Sequence, residues 1–187
     1  MSKCKVLFAS MAVVVLFCGS LQAGLVSFNF KADVPFQMTP TGVHLENALS
    51  SIPSVITMTA EFVVPPGVHA MSPSYSTFTI ATTTTNETGF VWTGYLLTLN
   101  PAEAAAFVPA SAGSTKFGTV QYPDVWTIRF DAPLTVGPGE VVTNHFNVAI
   151  PDGASYTFTL TQTPIPEPAT IALLGLGTLG LLVKRNS

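Results

Sequence analysis

Charge is what this chain has least of. Asp, Glu, Lys and Arg together make up 9% of 187 residues, against roughly a quarter in ordinary soluble domains. Cations are scarcest: Gly24 to Thr163 carries Lys31, Lys116 and Arg129 against nine acids, a net charge of −6. A segment this poor in cations has no patch for a phosphate backbone, which excludes nucleic-acid binding. Cysteine is almost missing too. Cys4 and Cys18 both lie in the first 23 residues. A chain that loses that segment has no disulfide framework, no thiolate metal site and no thiol nucleophile. The three histidines, His44, His69 and His145, include no pair at i, i+2 or i, i+4, so a zinc or copper site would need distant loops to converge. Asp131 and Asp152 stand at turns, where Asp accepts backbone hydrogen bonds, and no Asp-x-Asp-x-Asp-Gly calcium loop surrounds them. There is no Gly-x-Ser-x-Gly elbow, no His-Glu-x-x-His helix and no phosphate-cradling glycine loop after a strand. The sequence therefore assigns no catalytic residue, no metal ligand and no cofactor, and a non-enzymatic role is expected.

What the chain does have is apolar sequence at both ends. Lys3 and Lys5 precede an apolar run from Val6 to Phe17, and Leu21-Gln22-Ala23 puts a small residue at its end. This is the layout of a secretory signal peptide, residues 1–23, with cleavage between Ala23 and Gly24. The run falls short of the ~20 residues a permanent span needs.

Residues 24–163 read as one all-β domain. Val26, Phe28 and Phe30 alternate with polar residues, as do Ile56, Met58, Ala60 and Phe62, then Trp126, Ile128 and Phe130, then Tyr156, Phe158 and Leu160. One apolar face and one threonine-rich face is the pattern of an antiparallel sheet packed on one side, and threonine suits the wet face because its β-branch favours the strand while its hydroxyl stays solvated. The parity breaks between Trp92 and Tyr95, and a bulge at Thr93-Gly94 would restore one apolar face. Turns are expected at Pro65-Pro66-Gly67, Asn86 to Gly89, Gly137-Pro138-Gly139 and Pro151-Asp152-Gly153. Asn100-Pro101-Ala102-Glu103 offers an N-cap, a first-turn proline and a carboxylate, the start of a short helix. The Thr82 to Thr85 run reads as an exposed strand end or loop, and Asn86-Glu87-Thr88 matches a glycosylation acceptor. Seven to nine strands imply a two-sheet antiparallel β-sandwich, of jelly-roll or immunoglobulin-like order, flanked by the signal peptide and a single C-terminal hydrophobic helix.

That helix candidate is Ala169 to Val183, 15 residues, about 22 Å long at ~1.5 Å per residue. It is short for a ~30 Å hydrocarbon core and weakened by Gly175, Gly177 and Gly180. Pro166-Glu167-Pro168 precedes it and Lys184-Arg185 follows at once. Proline is tolerated at a helix start, where an anion is also favoured, and the basic pair keeps to the cytoplasmic side. The tripeptide, the apolar run, the basic end and the Pro164-Ile165 lead, in this order after a signal peptide, resemble a PEP-CTERM sorting signal over residues 164–187. The resemblance implies recognition of Pro166, Glu167 and Pro168 by an exosortase, a membrane-embedded thiol protease or transpeptidase, with the basic stop at Lys184 and Arg185. It implies transient inner-membrane anchoring, then delivery to the cell surface or extracellular matrix of a Gram-negative bacterium that makes extracellular polysaccharide.

Two functions follow as expectations for the domain in front of the tail. One is a structural or adhesive component of a biofilm matrix. The alternative is a carbohydrate-binding module, with Tyr122 and Trp126 as glycan-contact residues; an exposed row of aromatics would favour it. A secreted hydrolase ranks third. Trp92 and Trp126 share parity with apolar neighbours and read as core.

Overall fold

A computed structural model describes residues 13–14, 27–63 and 75–168 of the chain. The expected signal-peptide cleavage site at Ala23-Gly24, His69, the apolar helix 169–183 and the basic pair Lys184-Arg185 lie outside them. The described residues form thirteen strands: β1 (Val13–Val14), β2 (Ser27–Ala32), β3 (Phe36–Thr39), β4 (Gly42–Leu49), β5 (Ser54–Val63), β6 (Tyr75–Asn86), β7 (Trp92–Leu99), β8 (Ala106–Phe107), β9 (Gly113–Ser114), β10 (Thr119–Asp124), β11 (Thr127–Val136), β12 (Val141–Pro151) and β13 (Ser155–Pro166). No helix of the described residues is long and apolar enough to cross a membrane. The described residues are all-β, as the alternation predicts.

The strands form two sheets. Sheet A runs β1-β2-β5-β13-β7-β11-β10, and sheet B runs β3-β4-β6-β12-β8, with β9 also against β12. Their inner faces share one core, in which Phe28, Phe62, Phe78, Phe146 and Phe158 are buried. β1 belongs to the segment expected to be the apolar centre of the signal peptide, and cleavage after Ala23 would leave β2 as the edge of sheet A. The two closing strands nest symmetrically: β12 lies between β6 and β8, and β13 between β5 and β7.

The pairing is not all antiparallel. β4 and β6 are parallel, Val43 opposite Ile80 and Leu49 opposite Asn86. The reason lies in the route of the chain. After β4 it crosses to sheet A as β5 and returns as β6, and two crossings restore the original direction. Gly42 permits the close start of this pair, because a Cβ there would sit 1.9 Å from the carbonyl oxygen of Thr79.

Three further expectations are corrected. The Thr82–Thr85 run is neither loop nor frayed end: it continues β6, with Thr82 and Thr84 fully buried. Asn86 is also buried, and its amide is committed to two carbonyls, so it offers no glycosylation acceptor. The expected helix after Asn100 is a turn. Asn100 does accept the Ala102 N–H at 3.1 Å, but Ala106 and Phe107 leave to pair with β12. Glu103 instead turns to the neighbouring strand β13 and accepts the Thr159 N–H at 2.6 Å.

The bulge in β7 is where the parity break puts it. On β13, Ile165 opposes Gly94 and Pro166 opposes Trp92, so Thr93 is skipped. On β11, Asp131 opposes Gly94 and Val136 opposes Trp92. Trp92, Tyr95, Leu97 and Leu99 then all face the core. Gly94 is required here: a Cβ would meet the Phe130 carbonyl oxygen at 2.9 Å and the Ile165 side chain at 3.1 Å.

Candidate functional site

The residues singled out for sorting stand at the end of β13. That strand does not stop before the proline-rich lead. It continues through Pro164, opposite Tyr95, and Ile165, opposite Gly94, to Pro166, opposite Trp92. On its other side the pairing with β5 ends at Gln162, opposite Ser54. Beyond Gln162, β13 is therefore held from one side only.

This arrangement explains how a Pro-x-Pro sequence can be a strand. Ile165 offers its carbonyl to the Thr93 hydroxyl at 3.3 Å, and Glu167 donates its backbone N–H to the Val91 carbonyl at 2.9 Å. Odd-numbered residues thus turn their backbone polar groups toward β7. By alternation Pro164 and Pro166 turn theirs to the side where β5 has ended. Proline lacks an N–H, and the side without a partner strand is where a sheet tolerates it. Pro164 is buried, Pro166 half-buried, and Glu167 and Pro168 are exposed. The glutamate thus presents its side chain to solvent while its backbone is tied to the domain.

The floor under this strand end is a buried network centred on Asn86. The Asn86 amide donates to the carbonyls of Phe90 at 3.0 Å and Val136 at 2.9 Å. Its side-chain oxygen accepts the Thr88 N–H at 2.9 Å, and the Trp92 indole N–H donates to the Thr88 hydroxyl at 2.9 Å. The backbone of Asn86 is held as well, donating to the Glu140 carbonyl at 2.9 Å and accepting from Gly139 at 2.7 Å. The Glu87–Val91 connection that receives Glu167 is thus fixed from below. Glu140 sits on the neighbouring turn. The Gly137 N–H bonded to its carboxylate, helped by the Lys116 ammonium, holds its pKa below the ordinary value.

Between the sheets at this end the core is partly polar. Inward positions on β6 pass from Phe78 and Ile80 to Thr82, Thr84 and Asn86, and on β12 from Val148 and Phe146 to Asn144. On β13 they pass from Phe158 and Leu160 to Gln162. Thr84 donates to Asn47 at 3.0 Å, and Asn47 donates to Gln162 at 2.6 Å, a chain that crosses from sheet B to sheet A. Thr82 Oγ1, both side-chain polar atoms of Asn144, Gln162 Nε2 and the Tyr95 hydroxyl are buried without hydrogen-bond partners. Burial pushes the Tyr95 phenol well above its ordinary pKa, with the nearby Thr84 hydroxyl pulling the other way. At the far end the core is aromatic: Phe28 lies 4.7 Å from Phe62 and 4.9 Å from Phe78, centroid to centroid. Trp92 and Tyr95, 5.8 Å apart, supply the aromatic mass at the sorting end.

The other candidates are scattered. Tyr122, on β10, and Trp126, in the turn after it, are both half-buried against the core, and the Tyr122 hydroxyl accepts the Ala112 N–H at 2.6 Å. Tyr75 is the exposed aromatic among the described residues, at 58%. His44 on β4 and His145 on β12 both stand opposite Ala81 of β6, and the His145 ring covers Gly113. Among the described residues no three His, Cys, Asp or Glu side chains gather as a metal site would need. Asp131 receives Arg129 Nε at 3.0 Å. Sequence reasoning did not find the Asn86 network or the buried threonines. A signal was available for the first, since Asn-x-Thr before a turn is a side-chain-to-backbone pattern as well as a glycosylation one.

No curated protein and no solved structure matches the chain. A family model does match where the last strand leaves the sheet, and it indicates exosortase-dependent sorting to the cell surface or extracellular space. Over residues 164–186 the chain carries a PEP-CTERM protein-sorting motif.

Proposed function

We propose that the protein is a non-enzymatic structural or adhesive component of the extracellular matrix, exported by a Gram-negative bacterium through a cleaved signal peptide. In this reading the C-terminal helix holds it at the inner membrane only until processing at Pro166-Glu167-Pro168. The domain then joins extracellular polysaccharide. The observation that carries the proposal is the outer face of sheet A. Thr161 stands beside Thr98, and Thr98 beside Thr127; Thr157 and Thr159 stand beside Thr59 and Thr57. This is a broad hydroxyl-lined surface suited to hydrogen-bonding a polymer of hydroxyls. The nesting of β12 and β13 between their neighbours supports the jelly-roll order over the immunoglobulin-like one.

The test has two parts. Mass spectrometry of the mature protein should show a chain starting near Gly24 and ending near Pro166 to Pro168. Intact Lys184-Arg185 on secreted protein would contradict processing. Fractionation of the matrix should then find the domain with the polysaccharide, and release into the soluble fraction would count against the matrix role. The carbohydrate-binding reading rests on Tyr122 and Trp126; its mark would be glycan retention that falls when either is replaced by alanine.

A further inference from the structure

We propose that the end of β13, from Thr163 to Glu167, opens from β7 as a local unit while the rest of the sandwich stays folded, and that this opening delivers the sorting motif to its processing enzyme. The inference rests on the processing reading above. Three independent features of the fold lead to it.

The first is that the motif is engaged. An enzyme that cleaves a peptide bond needs the substrate backbone around that bond, and extended substrates are commonly gripped through their main-chain groups. Here the Glu167 N–H is already given to Val91 at 2.9 Å, the Ile165 carbonyl to Thr93 at 3.3 Å, and Pro166 lies in register with Trp92. Glu167 and Pro168 are exposed but tethered to the rim of the domain.

The second is that the engagement is weak. Past Gln162 the strand has lost β5. Pro164 and Pro166 contribute no donors, so Thr163, Ile165 and Glu167 supply every N–H that can hold the segment. The third lies in the core behind it. Thr82, Asn144, Gln162 and Tyr95 all have unmet polar atoms there, whereas Phe158 further back on β13 packs on Phe78 at 6.3 Å. Unsatisfied buried groups and a missing partner strand lower the free energy of local opening. The gradient along one strand, from Phe158 to Pro166, sets where opening stops. Thr93 and Gly94 hold the closed form: the hydroxyl of one and the missing side chain of the other seat Ile165 against β7.

The experiment uses the full-length precursor in cells that process it, and the same precursor purified in detergent. In cells, a Gly-Ser-Gly-Ser-Gly-Ser insertion between Ile165 and Pro166 keeps the tripeptide intact but lifts it off the rim. Pulse-chase should show precursor converting at least about three-fold faster than wild type. In the purified precursor, the amides of Thr163, Ile165 and Glu167 should exchange on the order of 100-fold faster than those of Phe158 and Leu160. Unchanged conversion of the insertion variant, or exchange of the three amides at the rate of Leu160, overturns the proposal. E167A separates the two readings. It should block conversion; if it does not, the processing reading fails, and the exchange rates decide the opening by themselves.

Discussion

The Asn47 amide donates to the Gln162 side-chain carbonyl at 2.6 Å, joining sheet B to sheet A at the polar end of the core. Asn47 also accepts from Thr84, so one side chain satisfies a donor on β6 and an acceptor on β13. Asn47→Leu fills similar space and strands both. Each buried group left unpaired costs ~1–3 kcal/mol, so the exported protein should lose about 3 kcal/mol, seen as a lower urea midpoint at unchanged slope. A loss below about 1 kcal/mol would mean that water already serves these groups.

Asn86 makes a sharper case, because its side chain meets two carbonyls and the Thr88 N–H. Asn86→Ala should destabilise by about 3 kcal/mol or more. It should also release the Glu87–Val91 connection that holds Glu167. Trp92→Phe keeps an aromatic ring in the core but removes the indole bond to Thr88 and shrinks a fully buried side chain, for an expected loss of about 2 kcal/mol. Thermal melts of the two variants should separate in that order.

These networks mark the limit of what residue patterns convey. Where apolar and polar residues alternate, as from Ile56 to Phe62, the strand and its buried face are legible, and all four apolar side chains are in the core. The bulge at Thr93 is legible for the same reason, since a parity break is visible. Thr82 to Thr85 carry no alternation, because the inward and outward residues are the same type, so only the pairing with β12 reveals which are inside. The turn after Asn100 failed differently. Its capping signal is real, but the carboxylate is spent on Thr159, a partner 56 residues away that no local pattern could point to. Strand order was not legible either, because nothing in β13 states that it lies between β5 and β7. The sorting motif was legible in full as an address, but not as a strand, since two prolines normally argue against one.

Gly42 tests the parallel pair. An alanine Cβ would sit 1.9 Å from the Thr79 carbonyl oxygen, a backbone atom that cannot swing away. Gly42→Ala should cost about 3 kcal/mol, the upper end of ordinary overpacking. Gly89→Ala is the contrast. It meets nothing within 4 Å and should stay within about 0.5 kcal/mol of wild type. Equal denaturation midpoints for the two variants would mean that β4 and β6 do not approach as described.

Glu140 gives a prediction in pH. Its carboxylate accepts the Gly137 N–H at 2.9 Å and lies 3.5 Å from the Lys116 ammonium, and these two, the backbone bond first, lower its pKa in the folded chain. A carboxyl whose folded pKa is depressed adds stability that is fully present above its unfolded value and is lost as pH falls through the folded one. The loss should therefore begin below about pH 4.3, the ordinary glutamate range, and not near neutrality. Following the Gly137 amide resonance against pH should give a midpoint below that range. Lys116→Ala should move the midpoint part of the way back, and added salt should mimic it, because screening reaches the exposed ion pair more than the backbone bond. Glu140→Gln should abolish the transition. A midpoint that Lys116→Ala and salt both leave in place would assign the whole shift to the Gly137 N–H and leave the ion pair without effect on the turn.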